Sequence, residues 1–541
     1  MAWSEYDLQE RELLQRDFSV SEVVEALESL KTNKSAGPDG VRNEHLKSAL
    51  GLAPCWAALF NKCLRSGSIP AQWMDATLLV IPKGKGNPTE PSAWRGIAKK
   101  SACYKLLSLL ITKRLSLFLE RKDVIPEEQH GFRRNRSTIS ACKILLEDIQ
   151  QALSKPRRYL YAVFVDFKAA FDTAPRDLIL DSLAAAGVPA CMLNLIAAVL
   201  KENRIVIDDG VSELPPIPQT TGVAQGNNIS PLLFSVLLKD FSESVCGPRG
   251  LVKVLLYADD LVIYGPSRFQ LQQALARLHQ AVSELGLTVN LAKTEAVKFR
   301  RGGRVATNDA LHLTSSAITY VNSFCYLGLL LPSNGHSFPA HLTERCRKAL
   351  IAAGSIRSPQ RLSLATAIRL FDLKVAPVAT YGIEVIWRDM TAKNFDQLNR
   401  VKASFLKLAL GLHRTAQNRL VYLLSGTPLL SEDLRQRFGL PETTAFLEHL
   451  RSWERKFAEI DVEFYNAGAN LSDTWKELDR PNRHVVTRFA VHGFHHVLCA
   501  ESGYHEPGSN CACQRCGSPC DKYHAARCAL VPSLASLSRG E

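Results

Sequence analysis

No run of about 18 apolar residues occurs anywhere in this 541-residue sequence, so a membrane-spanning helix, and with it a membrane partner, is not expected. The opening residues MAWSEYDLQE are acidic and have no apolar core, which argues against a secretory leader. No internal repeat is visible, which excludes a solenoid. Acidic side chains are in deficit, with 53 Asp and Glu against 66 Lys and Arg, for a net charge of +13. That balance leans toward a polyanionic partner, although basic charge says little until it is placed. A disulfide framework is also missing. Nine of the 14 cysteines scatter singly from Cys55 to Cys499, as the buried or inert thiols of a reducing compartment do. The other five crowd into CACQRCGSPCDKYHAARC, residues 511–528, and such clustering points to metal. Hydrophobic content of 46% and charged content of 22% are those of a globular chain, and the length suggests about two to four domains.

Several elements can be read locally. SVSEVVEALESL is a helix with a Ser19/Glu22 capping box and an apolar face of Val23, Val24, Leu27 and Leu30. Residues 76–86 read as a strand entering a Gly/Lys loop, and residues 101–120 as an amphipathic helix. Between Arg95 and Arg136 stand 11 Lys/Arg and 4 Asp/Glu, a concentration that predicts a phosphate-facing surface. Residues 159–188 read as strand, turn and helix, with Pro175 at the helix start and Gly187 at its end. A Gly-rich turn at 220–229 feeds an apolar helix. FCYLGLLL (324–331) reads as one more strand. Beyond about residue 340 helical spacing takes over, as in Phe395, Leu398, Val401, Phe405 and Leu408, with Lys393, Arg400, Lys402 and Lys407 at polar positions.

The chemistry begins at VLLYADDLVIYG, residues 254–265. Two apolar strands meet at Ala258–Asp260, placing Asp259 and Asp260 side by side. A turn whose acids face water is one reading. The other is a divalent cation held by oxygen ligands, which needs a third carboxylate. Asp166 supplies it, interrupting the apolar strand of AVFVDFKAAFD. If the two strands are neighbours, Asp166, Asp259 and Asp260 converge, and carboxylates so placed need cations. Two Mg²⁺ ions would relieve the repulsion and suit in-line phosphoryl transfer.

The ordered set FVDFKAAFD, GVAQGNNISPLLF, YADD, GLTVNLAKTE and YLGLLL resembles the reverse transcriptase motifs. Upstream, NKSAGPDGVRNEHLK, WRGIAKKSACYKLL and QHGFRRNRST are similar to the extra finger motifs of non-LTR, LINE-type retrotransposon polymerases. The resemblance covers roughly residues 20–335 and continues more weakly beyond. It implies an RNA-directed DNA polymerase of α+β class: a right hand with fingers, an antiparallel-sheet palm and a helical thumb. The implied divisions are 1–75 (N-terminal helices and finger motifs), 76–335 (fingers and palm), 336–500 (thumb and connector) and 501–541 (zinc knuckle and tail). By the same resemblance Asp166, Asp259 and Asp260 ligate the metals and Phe171 is the gate against a ribose 2′-hydroxyl. Gln225 and Gly226 line the nucleotide and template pocket, and Arg95, with Lys83 assisting, grips the triphosphate. Lys293 protonates the pyrophosphate leaving group.

Cys513, Cys516, His524 and Cys528 have the spacing of a tetrahedral structural Zn²⁺ site. They are similar to the C-terminal CCHC knuckle of LINE-type proteins, with Cys511 or Cys520 as alternative ligands. The implied partners are an RNA template, a DNA primer and target DNA, and deoxynucleoside triphosphates. The implied location is intracellular, cytoplasmic as a ribonucleoprotein and nuclear during integration. WRGI and GVAQGNN depart from the commoner family spellings but spare the charged and glycine positions. An endonuclease fits neither before the first motif nor after Cys528. The chain is therefore expected to be a fragment of a larger reading frame, a degenerate copy, or a stand-alone polymerase. A group II intron-type maturase and a catalytically silent nucleic-acid binder are the alternatives, and the intact carboxylate triad argues against the second.

Overall fold

The computed structural model describes residues 11–84, 87–201, 203–207, 215–247, 250–302 and 310–458. The chain forms two compact units, Met1–Leu327 with Ser333–Gly335, and Gly328–Pro332 with His336–Glu541. Among the described residues no helix is long and apolar enough to cross a membrane.

In the first unit the helix Val20–Ser29 starts on the expected capping box and buries Val23, Ala26 and Leu27. The helix Ala102–Arg121 departs from its amphipathic reading. It buries most of its circumference, including Tyr104, Leu107, Leu110, Arg114 and Phe118, and leaves only a narrow exposed line of Lys113, Leu117 and Arg121, because most of it packs inside the unit. Part of the basic charge of residues 95–136 is spent inward, while Arg95, Lys113, Arg121 and Arg134 stay exposed, so the expected basic surface is reduced but not removed. Arg114 is 3% exposed and makes two hydrogen bonds to the Glu22 carboxylate, at 2.9 and 2.8 Å. Arg133 pairs with Glu120, and Arg136 with Glu127. Lys100, also buried, donates to the Met74 carbonyl at 2.7 Å. Such charges are tolerated inside only because each is paired or hydrogen-bonded.

Two sheets matter for the site. One has the order β2–β1–β4–β5, built from β1 (Asp75–Pro82), β2 (Trp94–Lys100), β4 (Asn203–Val206) and β5 (Ile217–Gln219). The strands β1 and β2 form an antiparallel ribbon in which Ile81 faces Arg95. The other is a five-stranded sheet. Its centre is β3 (Leu160–Val165), flanked by β7 (Asp260–Gly265) and β8 (Glu295–Phe299), with β6 (Lys253–Tyr257) outside β7 and the short strand Thr319–Tyr320 outside β8. Every residue of β3 is buried, so its continuous apolar run reflects a strand covered on both faces. Tyr161, Val163 and Val165 join the main core. Phe164, on the opposite face, stacks on Phe324 at 3.9 Å. FCYLGLLL is two strands and not one, Ser323–Tyr326 and Leu329–Pro332. Leu327 and Gly328, both at positive φ, break the run.

The second unit's described residues are helical after Pro339. Its core includes Trp387, Phe395, Phe405 and Phe446. On the helix Ala392–Leu410, Phe395, Leu398, Val401 and Phe405 face inward as their spacing predicts, while Leu408 is exposed. Lys402, read as a polar surface position, is 3% exposed. Its ammonium donates to the Pro428 carbonyl at 2.9 Å, which is why the burial is tolerated. The eight cysteines among the described residues are all free. Of these, Cys63, Cys142 and Cys346 are buried, while Cys55 and Cys325 are exposed. Burial pushes the thiol of Cys142 up to about 12 and that of Cys103 up to about 11, which keeps both un-ionised and inert.

Candidate active site

The strands β6 and β7 pair from Lys253↔Tyr264 to Tyr257↔Asp260, leaving Ala258 and Asp259 as a two-residue loop. The next strand over, β3, pairs with β7 up to Val165↔Leu261. One register step further sets Asp166 opposite Asp260. Directly opposed residues of an antiparallel pair point to the same face, so Asp166 and Asp260 share a face at one end of the sheet, with Asp259 at the adjoining turn. The apolar strands thus deliver three carboxylates to one place.

Their electrostatics reflect that crowding. Asp260 lies at the surface, yet the surrounding protein withdraws water from its carboxyl. Together with repulsion from Asp259 and Asp166, this pushes it up to about 6, against a smaller opposing pull from Arg95. Asp259 is raised by burial and by Asp166, opposed by its own backbone N–H and by Arg95. Asp166 is held from the segment 290–294. Asn290 Nδ2 donates to Asp166 Oδ2 at 2.9 Å, and the Asn290 backbone N–H donates to the Asp166 carbonyl at 2.7 Å. The Asp166 N–H donates to Thr294 Oγ1 at 3.4 Å. Lys293 Nζ lies 3.9 Å from Asp166 Oδ2, and its side chain is 66% exposed, so it stands at the edge of the site with freedom to move.

The remaining predicted residues gather beside a second segment. Phe171 is half-buried and stacks on Phe234 at 4.8 Å. Its carbonyl accepts from the Val223 N–H at 2.7 Å, docking the Gly-rich loop onto it. The Gln225 carbonyl accepts from the Ala98 N–H at 3.1 Å, which ties the loop to β2. The Gln225 side-chain amide lies 3.3 Å from Asp172 Oδ2. Gly226 has φ 100°, and a Cβ there would stand 3.0 Å from Ile97 Cγ2. Its immediate neighbour is therefore β2, and a side chain would strain both the backbone and that contact. Arg95 and Lys83 are exposed on the β1–β2 ribbon and its loop. Each is felt electrostatically by a site carboxylate, Arg95 by Asp259 and Lys83 by Asp172. Cys513, Cys516, His524 and Cys528 lie outside the described residues.

Some residues of the site are silent in the sequence. Asp172, which directly follows Phe171, is raised by burial and accepts from the Gln225 side chain. Asn227 donates to Tyr104 Oη at 2.8 Å and accepts from Ser108 Oγ at 2.6 Å, pinning the loop's far end to the buried helix. The only available signal was a polar amide inside an apolar stretch, QGNNISPLLF. A Ser431–His449–Asp396 line in the second unit looks like nucleophilic machinery, with Oγ to Nε2 at 3.2 Å and Nδ1 to Oδ1 at 3.4 Å. Ser431 and His449 are fully buried and Asn399 donates to the same Nε2 at 2.9 Å, so no substrate can reach the hydroxyl.

Residues 81–331 match the family described as "Reverse transcriptase (RNA-dependent DNA polymerase)". The match takes in the whole five-stranded sheet and Asp166, Asp172, Asp259 and Asp260. Among curated proteins, the chain is 30% identical over 397 residues to the "Probable RNA-directed DNA polymerase from transposon BS" of Drosophila melanogaster, covering 70% of this chain and 43% of that one. This chain belongs to the reverse transcriptases of non-LTR retrotransposons. Two more relatives from the same fly agree. The "Putative 115 kDa protein in type-1 retrotransposable element R1DM" is 26% identical, over 87% of this chain and 47% of its own length. The "RNA-directed DNA polymerase from mobile element jockey" is 24% identical, over 80% and 47%. This reverse transcriptase chain therefore spans about half the length of the curated relatives it matches. Among solved structures, apo telomerase from Candida tropicalis truncated from its C-terminal domain aligns with a TM-score of 0.35 and 14% identity, over 52% of this chain and 59% of that one.

Proposed function

We propose that the chain is an RNA-directed DNA polymerase that extends a DNA primer on an RNA template using deoxynucleoside triphosphates. The observation that carries this reading is the convergence of Asp166, Asp259 and Asp260 at one end of the five-stranded sheet, within reach of Lys293 and Arg95. Among the described residues no three His, Cys, Asp or Glu side chains stand grouped closely enough to hold a metal ion as they are. The donor set nevertheless fits hard divalent cations, because it offers carboxylate oxygens whose mutual repulsion a cation would reverse. Asp166, Asp259 and Asp260 would hold two Mg²⁺, which when bound supply charge stabilisation for in-line phosphoryl transfer.

The chain's own groups have these roles. The primer 3′-oxygen forms a bond to the α-phosphorus as the bond to pyrophosphate breaks. Arg95, with Lys83, binds the triphosphate by charge-assisted hydrogen bonds. Lys293 gives a proton to the departing pyrophosphate, a role for which its exposed and mobile position suits it. Phe171, braced by Phe234, stands against a ribose 2′-hydroxyl, and Gln225 and Gly226 line the nucleotide and template pocket. The helical second unit follows the duplex backbone as a thumb. In support, a cavity of about 470 Å³ there is lined by Arg400, Arg419 and Lys456 together with Trp453 and Asp396. Cys513, Cys516, His524 and Cys528 form a structural Zn²⁺ knuckle that grips nucleic acid, a reading supported by their spacing. The protein works inside the cell, in the cytoplasm as a ribonucleoprotein and in the nucleus during integration into target DNA.

The test is primer extension on an RNA template with Mg²⁺, comparing the wild-type chain with Asp259→Ala. Extension by the wild type and none by the variant is expected. Equal product from both would remove these carboxylates from the mechanism.

A further inference from the structure

QHGFRRNRST was singled out in the sequence, yet no step of the proposed reaction uses it. In the structure its first residues lie along the catalytic hairpin. The Leu256 N–H donates to the Glu128 carbonyl at 2.9 Å, and the His130 N–H to the Leu256 carbonyl at 2.7 Å. Gln129 therefore forms an isolated parallel bridge to Leu256 of β6. Its side chain is fully buried and turns onto the hairpin tip. Oε1 accepts from the Ala258 N–H at 2.9 Å and from the Gly131 N–H at 2.8 Å. Nε2 reaches the Ala258 carbonyl at 3.4 Å. One planar amide thus engages both backbone polar groups of Ala258.

Ala258 is the residue that needs holding. It sits at φ 57°, a region L-residues rarely occupy unless their surroundings over-determine it, and Asp259 and Asp260 follow it directly. Gly131 closes the cradle from the other side. A Cβ at Gly131 would stand 2.3 Å from the Ala258 nitrogen and 2.9 Å from the Tyr257 carbonyl carbon, so only glycine lets the two backbones approach this closely. Glutamine suits the task chemically. A glutamate could not donate to the Ala258 carbonyl and would add negative charge beside two carboxylates that already repel one another.

We propose that Gln129 is a positioning residue for polymerisation: its amide locks Ala258 in the left-handed conformation and thereby fixes the carboxylates of Asp259 and Asp260. The inference rests on the reading of those carboxylates as the catalytic ones. Gln129 touches neither nucleotide nor reacting atoms, so its loss acts on the rate of the bond-forming step and leaves substrate affinity intact. A displacement of about 1 Å at a reacting centre costs on the order of 100-fold in rate.

The experiment uses the full chain with Gln129→Met, which keeps the shape and removes the hydrogen bonds, and Gly131→Ala, which pushes the tip from the opposite side. Single-turnover extension on an RNA template is measured against nucleotide concentration, alongside primer–template affinity, melting temperature and hydrogen exchange of the metal-free hairpin. The expected result is a maximal rate lower by about 10- to 100-fold. Apparent nucleotide and primer–template affinities stay within about twofold, exchange at Ala258 and Asp259 is faster, and the rate loss persists at temperatures well below each variant's melting transition. An unchanged rate would overturn the proposal, and so would a rate loss that merely tracks lost thermal stability, or an effect confined to nucleotide affinity. If neither variant folds, the wild type still decides, because a fast-exchanging Ala258 amide contradicts the clamp. Asp259→Ala runs in parallel. Full activity there refutes the site itself, whereas an inactive Asp259→Ala beside an unaffected Gln129→Met refutes only the clamp.

Discussion

Replacing Asn290 by alanine should slow extension while leaving the fold intact. Asn290 holds Asp166 twice, through its side-chain amide on Oδ2 at 2.9 Å and its backbone N–H on the Asp166 carbonyl at 2.7 Å. The alanine variant keeps the backbone bond, so the strand end stays docked and only the carboxylate is released. A hydrogen bond to a charged group contributes about 1.5–3 kcal/mol. Asp166 is 38% exposed, so water replaces part of what is lost, and the lower end of that range applies. About 1.5 kcal/mol corresponds to roughly a 10-fold loss in rate. Asn290→Asp should be worse, because it sets a second carboxylate where the amide donor stood and removes the donor as well. Single-nucleotide extension at saturating primer–template measures both variants, with circular dichroism to confirm the fold. A rate within twofold of wild type for Asn290→Ala would refute the claim that this amide orients Asp166. An Asn290→Asp variant as active as Asn290→Ala would refute the electrostatic part of the argument.

Phe171→Ala should admit ribonucleotides, raising the ratio of ribo- to deoxyribonucleotide incorporation by at least about 10-fold, a factor that corresponds to about 1.4 kcal/mol of discrimination. Competitive extension measures that ratio, and an unchanged ratio would return Phe171 to an ordinary core role. Arg114→Met should destabilise the first unit by about 3–5 kcal/mol, because it strands the Glu22 carboxylate and two backbone carbonyls against a half-closed surface. The readout is the denaturant midpoint. Burial pushes Glu22 up, but Arg114 and the Ser19 backbone bond win and hold it down to about 2. The pair's contribution is thus complete above the ordinary carboxylate range and fades as pH falls toward 2. In the second unit, burial pushes His341 down to about 4, with its bond to the Tyr381 carbonyl opposing. The unfolded chain binds that proton below about pH 6.5 and the folded chain does not. Stability present above pH 6.5 should therefore fall by about 1.4 kcal/mol per pH unit as pH drops toward 4. His341→Gln should flatten part of that slope in melting curves, and an unchanged slope would exclude His341 as a source.

Local signals were legible, and long-range placement was not. Ser19, Glu22 and their apolar spacing specify a capped helix within a dozen residues, and the structure has it. VLLYADDLVIYG specifies a hairpin because two apolar runs meet at a turn, and the strands close on Ala258–Asp259. The helix over 101–120 reads as amphipathic but buries a wider face than that reading predicts. Ser108 on it is buried against Asn227, a partner far along the chain, and periodicity cannot see partners. The same limit explains the charge. Arg114, Arg133 and Lys402 count as surface cations in a sequence, but each finds an acid or a carbonyl inside the fold. The amides Gln129, Asn227 and Asn290 carry no periodic signature. Each sits in a loop, and its role exists only once distant segments meet.

Those amides share one physical property. Asn290 holds Asp166, Gln129 holds the turn that carries Asp259, and Asn227 fixes the far end of the Gly-rich loop to Tyr104, all without a formal charge. An arginine at position 290 could donate to Asp166 as the amide does, but it would also neutralise the carboxylate and hold its proton affinity low, and at 129 or 227 an arginine could not accept the hydrogen bonds those amides accept. The cations that are present stand back. Lys293 is exposed at 3.9 Å from Asp166, and Arg95 acts on Asp259 and Asp260 as a minor opposing influence. On the proposed reading this division is functional. Neutral groups fix the carboxylates in place, and their negative charge remains available for divalent ions and, through them, for a triphosphate that is itself anionic. Adding a fixed cation near the hairpin tip should therefore weaken metal dependence and activity together, even if it stabilises the folded chain.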